Sequence, residues 1–317
     1  MYFKSSLALA LSGLLIAPGV SGGGSPAPAP SGGSPPAAAG SGDDHGEFHD
    51  GHPTHWSYEG SGAAHFWSLI NPTNDSLCAA GKQQSPINIG DDETANYVKE
   101  KPATDVVRTW GSAGDFTFKN LGHTVQVGPF TGLTTKYKNM VFDLLQFHFH
   151  TPSEHHIGGG FAPMEVHFVH KKGSNFTVIG IMIEVSDIGV NSTFMTPLNK
   201  ALNKIQKTDQ SVTVTGLDLN LAVSEAKNFL NGFYTYDGSL TTPPCSEGIN
   251  WVLAKDPLYV SAAQWNEFKS VIKYSARQTQ RRNFGTHDEH DDEHHSGANS
   301  VAASILAAFP MLAQFFL

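Results

Sequence analysis

The chain has 317 residues, and its 29 acidic side chains outnumber 20 basic ones to give a formal net charge of −9. A nucleic-acid-binding protein would leave a basic footprint, so this balance argues against that class of partner. The cluster of Arg277, Arg281 and Arg282 is the only evident basic group along the sequence, and it lies near a domain end, where arginines are most often solvated.

The chain begins with an apolar segment. Lys4 precedes the run LALALSGLLIA, and small residues follow it. This layout is typical of a secretory signal peptide, which we predict over residues 1–21. The alternative is a membrane anchor, but the run is shorter than the ~20 apolar residues that a spanning helix needs. Residues 22–54 are rich in Gly, Pro, Ser and Ala and predict a flexible linker.

The folded domain is predicted over residues 55–285, long enough for one domain with a full core. Segments rich in β-branched and aromatic residues predict strands at 115–120, 124–128, 140–150, 164–170, 176–185, 211–216 and 249–254. Helices are predicted over 192–207 and 261–274 from their apolar spacing, and Ser261 and Gln264 form a capping box. The fold class is therefore mainly β, with one large sheet and peripheral helices.

Histidines alternate with phenylalanines at the end of the strand predicted over 140–150. Side chains two residues apart in a strand share a face, so His148 and His150 project together, ~6–7 Å apart at their Cα atoms. On the strand predicted over 164–170, Glu165 and His167 also share a face. If the two strands are neighbours, three imidazoles can converge on one metal ion. A pair of solvated surface histidines is the alternative for the His-x-His pattern alone.

Three histidines with an open fourth position describe a catalytic zinc site, because a structural site is normally closed by a fourth protein ligand. Gln146 and Glu165 lie on the ligand-bearing faces and could orient the imidazoles by hydrogen bonds. No chemistry is assigned to His155, His156 or His170.

Two cysteines, Cys78 and Cys245, occur in a chain that is predicted to be exported, which favours a disulfide over two free thiols. The tripeptides that begin at Asn74, Asn175 and Asn191 are candidate N-glycosylation acceptors of a glycoprotein. Together with the signal peptide, these features predict a secreted or cell-surface protein.

The end of the chain differs in composition from the domain. Residues 286–300 form a segment rich in histidine and acidic residues, predicted to be solvated, with metal collection as the alternative. Residues 301–317 form a hydrophobic tail that follows small residues, a pattern typical of a GPI-anchor signal. A short hydrophobic helix retained on the protein is the alternative for the tail.

Separated motifs give the sequence a family resemblance. In order along the chain they are HWSYEG, QQSPINI, NLGHTVQV, LLQFHFHTPSEHHI, MEVHFVHKK, YDGSLTTPPCSEGINWVL and RQTQRRNF. Over nearly the whole domain the chain resembles the α-class carbonic anhydrases, particularly their bacterial, plant and fungal members. The resemblance implies a large twisted, mostly antiparallel sheet and a zinc lyase. It implies reversible hydration of carbon dioxide to bicarbonate and a proton by attack of zinc-bound hydroxide, and it does not imply a protein partner.

The functional positions of the family carry over residue by residue. The resemblance implies zinc ligands at His148, His150 and His167, with Gln146 and Glu165 as their hydrogen-bonding partners. It places at Thr241 the threonine that contacts the hydroxide, with Glu154 accepting from that threonine. A non-catalytic module on the same fold is the alternative function, and loss of a zinc histidine would mark it. All three are present.

The resemblance also implies residues around the metal. His123 matches the histidine that shuttles protons to solvent, although Leu121 stands where the family usually has Asn. The apolar wall that holds carbon dioxide corresponds to Val169, Val178, Leu240 and Trp251, with Thr242 beside it. Cys78 and Cys245 match the disulfide of exported members, which tethers the loop that carries Thr241.

Overall fold

The computed structural model describes residues 48–49, 52–53, 55–111, 114–225 and 232–282, all within the unit Gly46–Leu317. The predicted signal peptide, most of the linker, the segment 286–300 and the hydrophobic tail lie outside the described residues. In the described part of the chain, no helix is both long enough and apolar enough to cross a membrane.

The strands are short except for three long central ones. They are β1 Phe48–His49, β2 His52–Pro53, β3 Asn88–Ile89, β4 Lys99–Lys101, β5 Val107–Thr109, β6 Phe116–Asn120, β7 Val125–Val127, β8 Thr134–Tyr137, β9 Met140–His150, β10 His156–Ile157, β11 Met164–Lys172, β12 Asn175–Val185, β13 Ser211–Val214, β14 Phe233–Ser239, β15 Glu247–Ala254 and β16 Leu258–Val260.

The helices are peripheral and short. They are α1 Trp67–Ile70, α2 Pro72–Asp75, α3 Leu77–Ala80, α4 Asp92–Ala95, α5 Thr196–Leu202, α6 Leu219–Ser224 and α7 Ala262–Val271. Helix α7 begins at the predicted capping box, in which the Ser261 hydroxyl accepts from the Gln264 N–H. Single 3₁₀ turns span Gly60–Gly62, Ala64–Phe66 and Ala103–Asp105.

One twelve-stranded sheet organises the described residues. Its main path runs β13-β6-β7-β9-β11-β12-β15-β14-β4, with β16 paired to β12 and β8 paired to β9 and β5. Neighbouring strands are antiparallel except where β12 meets β15 and β16. The predicted class, a large and mostly antiparallel sheet with peripheral helices, is confirmed.

Successive side chains of the central strands point to opposite faces of the sheet, and each face packs against its own apolar cluster. On β9, Phe147 and Phe149 are fully buried in the main core, where the Phe149 ring lies 4.8 Å from that of Phe268 on α7. On β11, Val166 and Phe168 enter the same core. Burying a large apolar side chain stabilises the fold by roughly 1.5–3 kcal/mol, so this alternation fixes which residues face the other way.

The register between β9 and β11 determines what lies on that opposite face. His148 is paired with His167, and His150 is paired with Glu165. The register shifts between Val169 and His170, beyond the histidine pairs. Directly opposed residues in an antiparallel pair lie close together, so this pairing aligns the predicted ligands.

Candidate metal centre

The three histidines of the predicted zinc site meet on one face of the sheet. One ring nitrogen from each of His148, His150 and His167 lies within 4.8 Å of the other two. Their ring centroids are 4.6–5.3 Å apart. His150 and His167 are buried and His148 is half-buried, so the cluster is shielded but open on one side.

Hydrogen bonds fix the tautomer of each imidazole. Nδ1 of His148 donates to the Gln146 amide oxygen at 2.9 Å, and Nδ1 of His150 donates to the Ser275 carbonyl at 2.6 Å. Nε2 of His167 donates to a carboxylate oxygen of Glu165 at 2.8 Å. Because each acceptor has only lone pairs, the second nitrogen of each ring keeps its own lone pair. Burial lowers the pKa of all three histidines, which favours these neutral rings.

The Glu165 carboxylate joins the metal cluster to the structure behind it. Its Oε1 accepts from His167 and from Nδ1 of His155, both at 2.8 Å, and Oε2 accepts from the N–H groups of Glu154 and His155. Burial opposes ionisation, but the neighbouring His155 and His167 hold the pKa of Glu165 well below its usual range. Glu165 is thus a buried carboxylate that orients His167.

His155 is a positioning residue that sequence reasoning missed. It is fully buried, and its Nε2 lies 2.7 Å from the Tyr236 hydroxyl, which in turn lies 2.8 Å from the Ser85 hydroxyl. Potential ligand atoms of His155, Glu165 and His167 also lie within 4.8 Å of one another. Both histidines hydrogen-bond to Glu165, so this second cluster is a hydrogen-bond network. The Ser-Glu-His spacing near the His-x-His pair was the available signal for this residue.

Glu154 lies at the inner edge of the three histidines. Its Oε1 accepts from the backbone N–H of Arg277 at 3.0 Å, and Oε2 lies 3.4 Å from Nε2 of His150. Burial raises the pKa of Glu154 to about 7, whereas His167 and the Thr241 side chain act to lower it. The structure therefore brings Glu154 and Thr241 together beside the histidine cluster.

Arg277 corrects the expectation that the arginine cluster is solvated. The residue is 3% exposed, and its guanidinium donates to the side chain of Gln84 and to the carbonyls of Ser85 and Cys78. These three hydrogen bonds to oxygen acceptors offset the cost of burying the charge. Arg281 is exposed and Arg282 is half-buried.

The donor set fits a zinc ion. Nε2 of His150 is buried without a hydrogen-bonding partner, and Oε2 of Glu154 makes no hydrogen bond of standard geometry. A buried lone pair without a partner is costly unless something occupies the space that it faces. Three neutral imidazoles are a ligand set that zinc prefers in catalytic sites.

An apolar wall adjoins the metal cluster. Val178 and Trp251 are paired across β12 and β15, and both belong to a buried apolar cluster with Val169, against which Leu240 packs. The Trp251 ring lies 4.8 Å from the His167 ring. Thr242 is half-buried in the adjacent loop. The structure brings these predicted wall residues together, with Thr242 in the loop that follows Leu240.

His123 lies in the turn after β6, where Gly122 adopts a positive φ of 87° that favours glycine. Its ring lies 4.4 Å from the Trp56 ring and is half-buried. Burial and the neighbouring His150 lower the pKa of His123 to about 4. His123 is therefore neutral at physiological pH.

The predicted disulfide is present between Cys78 and Cys245. The Cys245 N–H donates to the Thr242 carbonyl at 2.9 Å, so the bridge holds the loop that carries Thr241 and Thr242. The three candidate glycan acceptors, Asn74, Asn175 and Asn191, are all exposed, and their modification stays a prediction.

Comparison with known proteins agrees with this geometry. The family model for eukaryotic-type carbonic anhydrase matches residues 63–288. A carbonic anhydrase from Pectobacterium atrosepticum is 37% identical over 222 residues, which cover 70% of this chain and 84% of that protein.

Two solved structures share the fold and confirm the resemblance. An α-carbonic anhydrase from Aspergillus oryzae is 32% identical with a TM-score of 0.66, covering 72% of this chain and 93% of that one. The enzyme from Thermovibrio ammonificans, complexed with the inhibitor sulfanilamide, is 33% identical with a TM-score of 0.63, covering 73% and 96%. With the family model spanning most of the domain that holds the histidine cluster, the chain belongs to the eukaryotic-type, or α-class, carbonic anhydrases and hydrates carbon dioxide.

Proposed function

We propose that this carbonic anhydrase holds a zinc ion at His148, His150 and His167. The observation that carries the proposal is the set of three fixed, neutral tautomers, whose remaining lone pairs belong to nitrogens that can reach one ion. Zinc supplies the Lewis acidity that ionises water near neutral pH. Gln146, Ser275 and Glu165 keep the imidazoles oriented before the metal arrives.

Glu154 and Thr241 orient the nucleophile. Because Oε1 already accepts from the Arg277 N–H, Oε2 is the oxygen left to accept from the Thr241 hydroxyl once Glu154 is ionised. The Thr241 oxygen can then only accept a hydrogen bond from the nucleophile. That arrangement turns the nucleophile's lone pair toward the substrate, which is the positional contribution to the rate.

The apolar wall receives carbon dioxide, since Val169 and Val178 have no polar side-chain atom and the Trp251 indole N–H already donates to the Ser239 carbonyl. Leu240 and Thr242 border the same space. His123 is proposed to accept the proton released by the nucleophile and to pass it to solvent. His123 is neutral at pH 7 and can therefore bind a proton, but its low pKa makes it a weak base.

The test is carbon dioxide hydration by the secreted chain, measured with and without the zinc chelator dipicolinate. We expect one tightly held zinc per chain, activity that is lost with the metal and restored by zinc, and inhibition by sulfanilamide. His150→Ala should lose zinc, whereas His156→Ala, a half-buried histidine outside the cluster, should keep it. A folded protein that hydrates carbon dioxide without bound zinc, or that keeps its zinc after His150→Ala, would contradict the proposal.

We further propose that the chain is exported, after removal of residues 1–21, and that lipid replaces the tail 301–317. The Cys78–Cys245 disulfide supports an oxidising compartment. N-terminal sequencing of the secreted protein tests export, and release by phosphatidylinositol-specific phospholipase tests the lipid anchor. Endoglycosidase treatment tests the predicted glycosylation of Asn74, Asn175 and Asn191. A mature protein that begins at Met1 would overturn the export proposal.

A further inference from the structure

A basic cleft of about 710 Å³ lies on the part of the sheet formed by β4, β8 and β14. The basic side chains that line it are Lys99, Lys101, Lys136, Lys138 and Arg282. Two carboxylates, Asp105 and Asp237, also line it, which leaves a formal excess of three positive charges. Such a concentration of positive charge stands out in a chain whose net charge is −9.

Three of these cations have partners, and Nζ of Lys99 donates only to the Asn96 carbonyl, at 3.3 Å. Nζ of Lys138 donates to Asn250 at 2.7 Å and lies 3.4 Å from Asp237, and the Arg282 guanidinium lies 3.8 Å from the centre of the Tyr97 ring. Within the described ranges, no ion pair joins Lys99, Lys101 or Lys136 to a carboxylate. Like charges gathered without counter-charges raise the local potential and attract an anion.

The sequence beyond the cleft supplies an anion of suitable charge. Arg282, the last described residue, itself lines the cleft. The chain continues into residues 287–295, HDEHDDEHH, with five carboxylates in nine positions. The first of them, Asp288, follows Arg282 by six residues, which an extended chain spans in about 20 Å. The acidic segment therefore starts within reach of the cleft.

We propose that the acidic segment 287–295 docks in the basic cleft of its own chain, against Lys99, Lys101 and Lys136. A single exposed ion pair contributes only about 0–1 kcal/mol, but attachment gives the segment a local concentration in the millimolar range. Several weak pairs are then sufficient to hold it. Docking neutralises the cleft and shields it from external polyanions, and it does not depend on the metal centre.

The first test is carbodiimide cross-linking of the secreted full chain, followed by mass spectrometry. We expect amide links between the carboxylates of 288–293 and Lys99, Lys101 or Lys136, within one molecule, that disappear in 1 M salt, where the Debye length is about 3 Å. Lys101→Gln with Lys136→Gln should remove most links, and Lys171→Gln with Lys172→Gln, an exposed pair that does not line the cleft, should not. Links spread over all exposed lysines would overturn the proposal.

The second test uses heparin as a competing polyanion. Neutralising Asp288, Glu289, Asp291 and Asp292 to their amides should tighten heparin binding about tenfold, because the cleft becomes free. The matched control neutralises four carboxylates before the domain, Asp43, Asp44, Glu47 and Asp50, and changes the net charge equally. An equal effect from both variants would mean that net charge alone acts on heparin, and that the segment does not occupy the cleft.

Discussion

Glu154 is buried between the Arg277 N–H and the histidine cluster. An ionised carboxylate at this position can only accept hydrogen bonds, whereas an amide can also donate them. We predict that Glu154→Gln lowers kcat/KM for carbon dioxide hydration by about 100-fold, because a neutral amide can donate to the Thr241 hydroxyl and reverse its hydrogen bond. Stopped-flow hydration assays measure the loss. The zinc content should stay at one per chain, and a variant within twofold of the natural rate would make Glu154 a structural acid.

His170 gives the protein a distinct dependence on pH, far from the predicted ligands on the opposite face of β11. The ring is fully buried, with Nδ1 donating to the Phe168 carbonyl and Nε2 accepting from the Thr135 hydroxyl at 2.9 Å. Thr135 in turn accepts from the Trp110 indole. These contacts are those of a neutral imidazole, and burial lowers the pKa of His170 to about 4.

The sign of the effect follows from where the proton binds. An unfolded histidine titrates near 6.5, so between pH 6.5 and 4 the unfolded chain binds a proton that the folded chain refuses. The contribution of His170 is therefore complete above pH 6.5 and is lost as pH falls toward 4, on the order of 3 kcal/mol in all.

We predict that His170→Gln is less stable at pH 7.5 but loses less free energy of unfolding between pH 6.5 and 4.5 than the natural protein does. Urea unfolding at a series of pH values measures the difference, which should reach about 1.4 kcal/mol per pH unit. Other buried histidines add to the slope of both proteins, so only the difference between them reports on His170. Parallel pH profiles would contradict the assignment.

At the level of elements, the pairing of β9 with β11 forms the candidate site, and Glu165 connects that pair to the loop of Glu154 and to β14. We predict that Glu165→Gln weakens zinc binding 10- to 100-fold, because an amide cannot accept from His155, His167 and two backbone N–H groups as a carboxylate does. Competition with a chromophoric chelator measures the affinity. The matched control is Glu184→Gln, which changes a half-buried carboxylate on β12 and should leave the zinc affinity unchanged.

The strands that position this site were predictable because they are rich in β-branched and aromatic residues. The seven segments predicted from sequence correspond to β6, β7, β9, β11, β12, β13 and β15. The segment Phe233–Ser239 was missed, although it forms β14, because Asp237 and Gly238 resemble a turn. Its strand conformation comes from pairing with β15 and β4, which no local pattern contains.

Residues of the site were predictable only where a side chain has a distinctive chemistry. His148, His150 and His167 stand out by their spacing, whereas the groups that hold His150 and Glu154 are the Ser275 carbonyl and the Arg277 N–H. Such backbone contacts cannot be predicted from residue type, because nearly every residue carries the same N–H and carbonyl groups. The basic cleft escaped notice for a related reason, since its lysines are distant in sequence and gather only when β4, β8 and β14 meet.

At the scale of the whole molecule, one network joins segments of the domain that are distant in sequence. The Arg277 guanidinium donates to the Cys78 carbonyl and to the Gln84 amide oxygen, and the Gln84 amide donates to the Cys245 carbonyl. The backbone of Arg277 holds Glu154. The disulfide and the Glu154 carboxylate thus share a buried arginine.

Opening the disulfide should therefore cost both stability and the order of the active loop. Cys78 and Cys245 are 167 positions apart, and closing a loop of that length removes unfolded-state entropy worth about 5 kcal/mol, an upper value for the effect. We predict that Cys78→Ser with Cys245→Ser loses 2–5 kcal/mol of unfolding free energy in urea. In the folded state the variant should keep its zinc but hydrate carbon dioxide severalfold more slowly, because the loop of Thr241 is less constrained. Unchanged activity with reduced stability would show that the buried arginine network alone holds that loop.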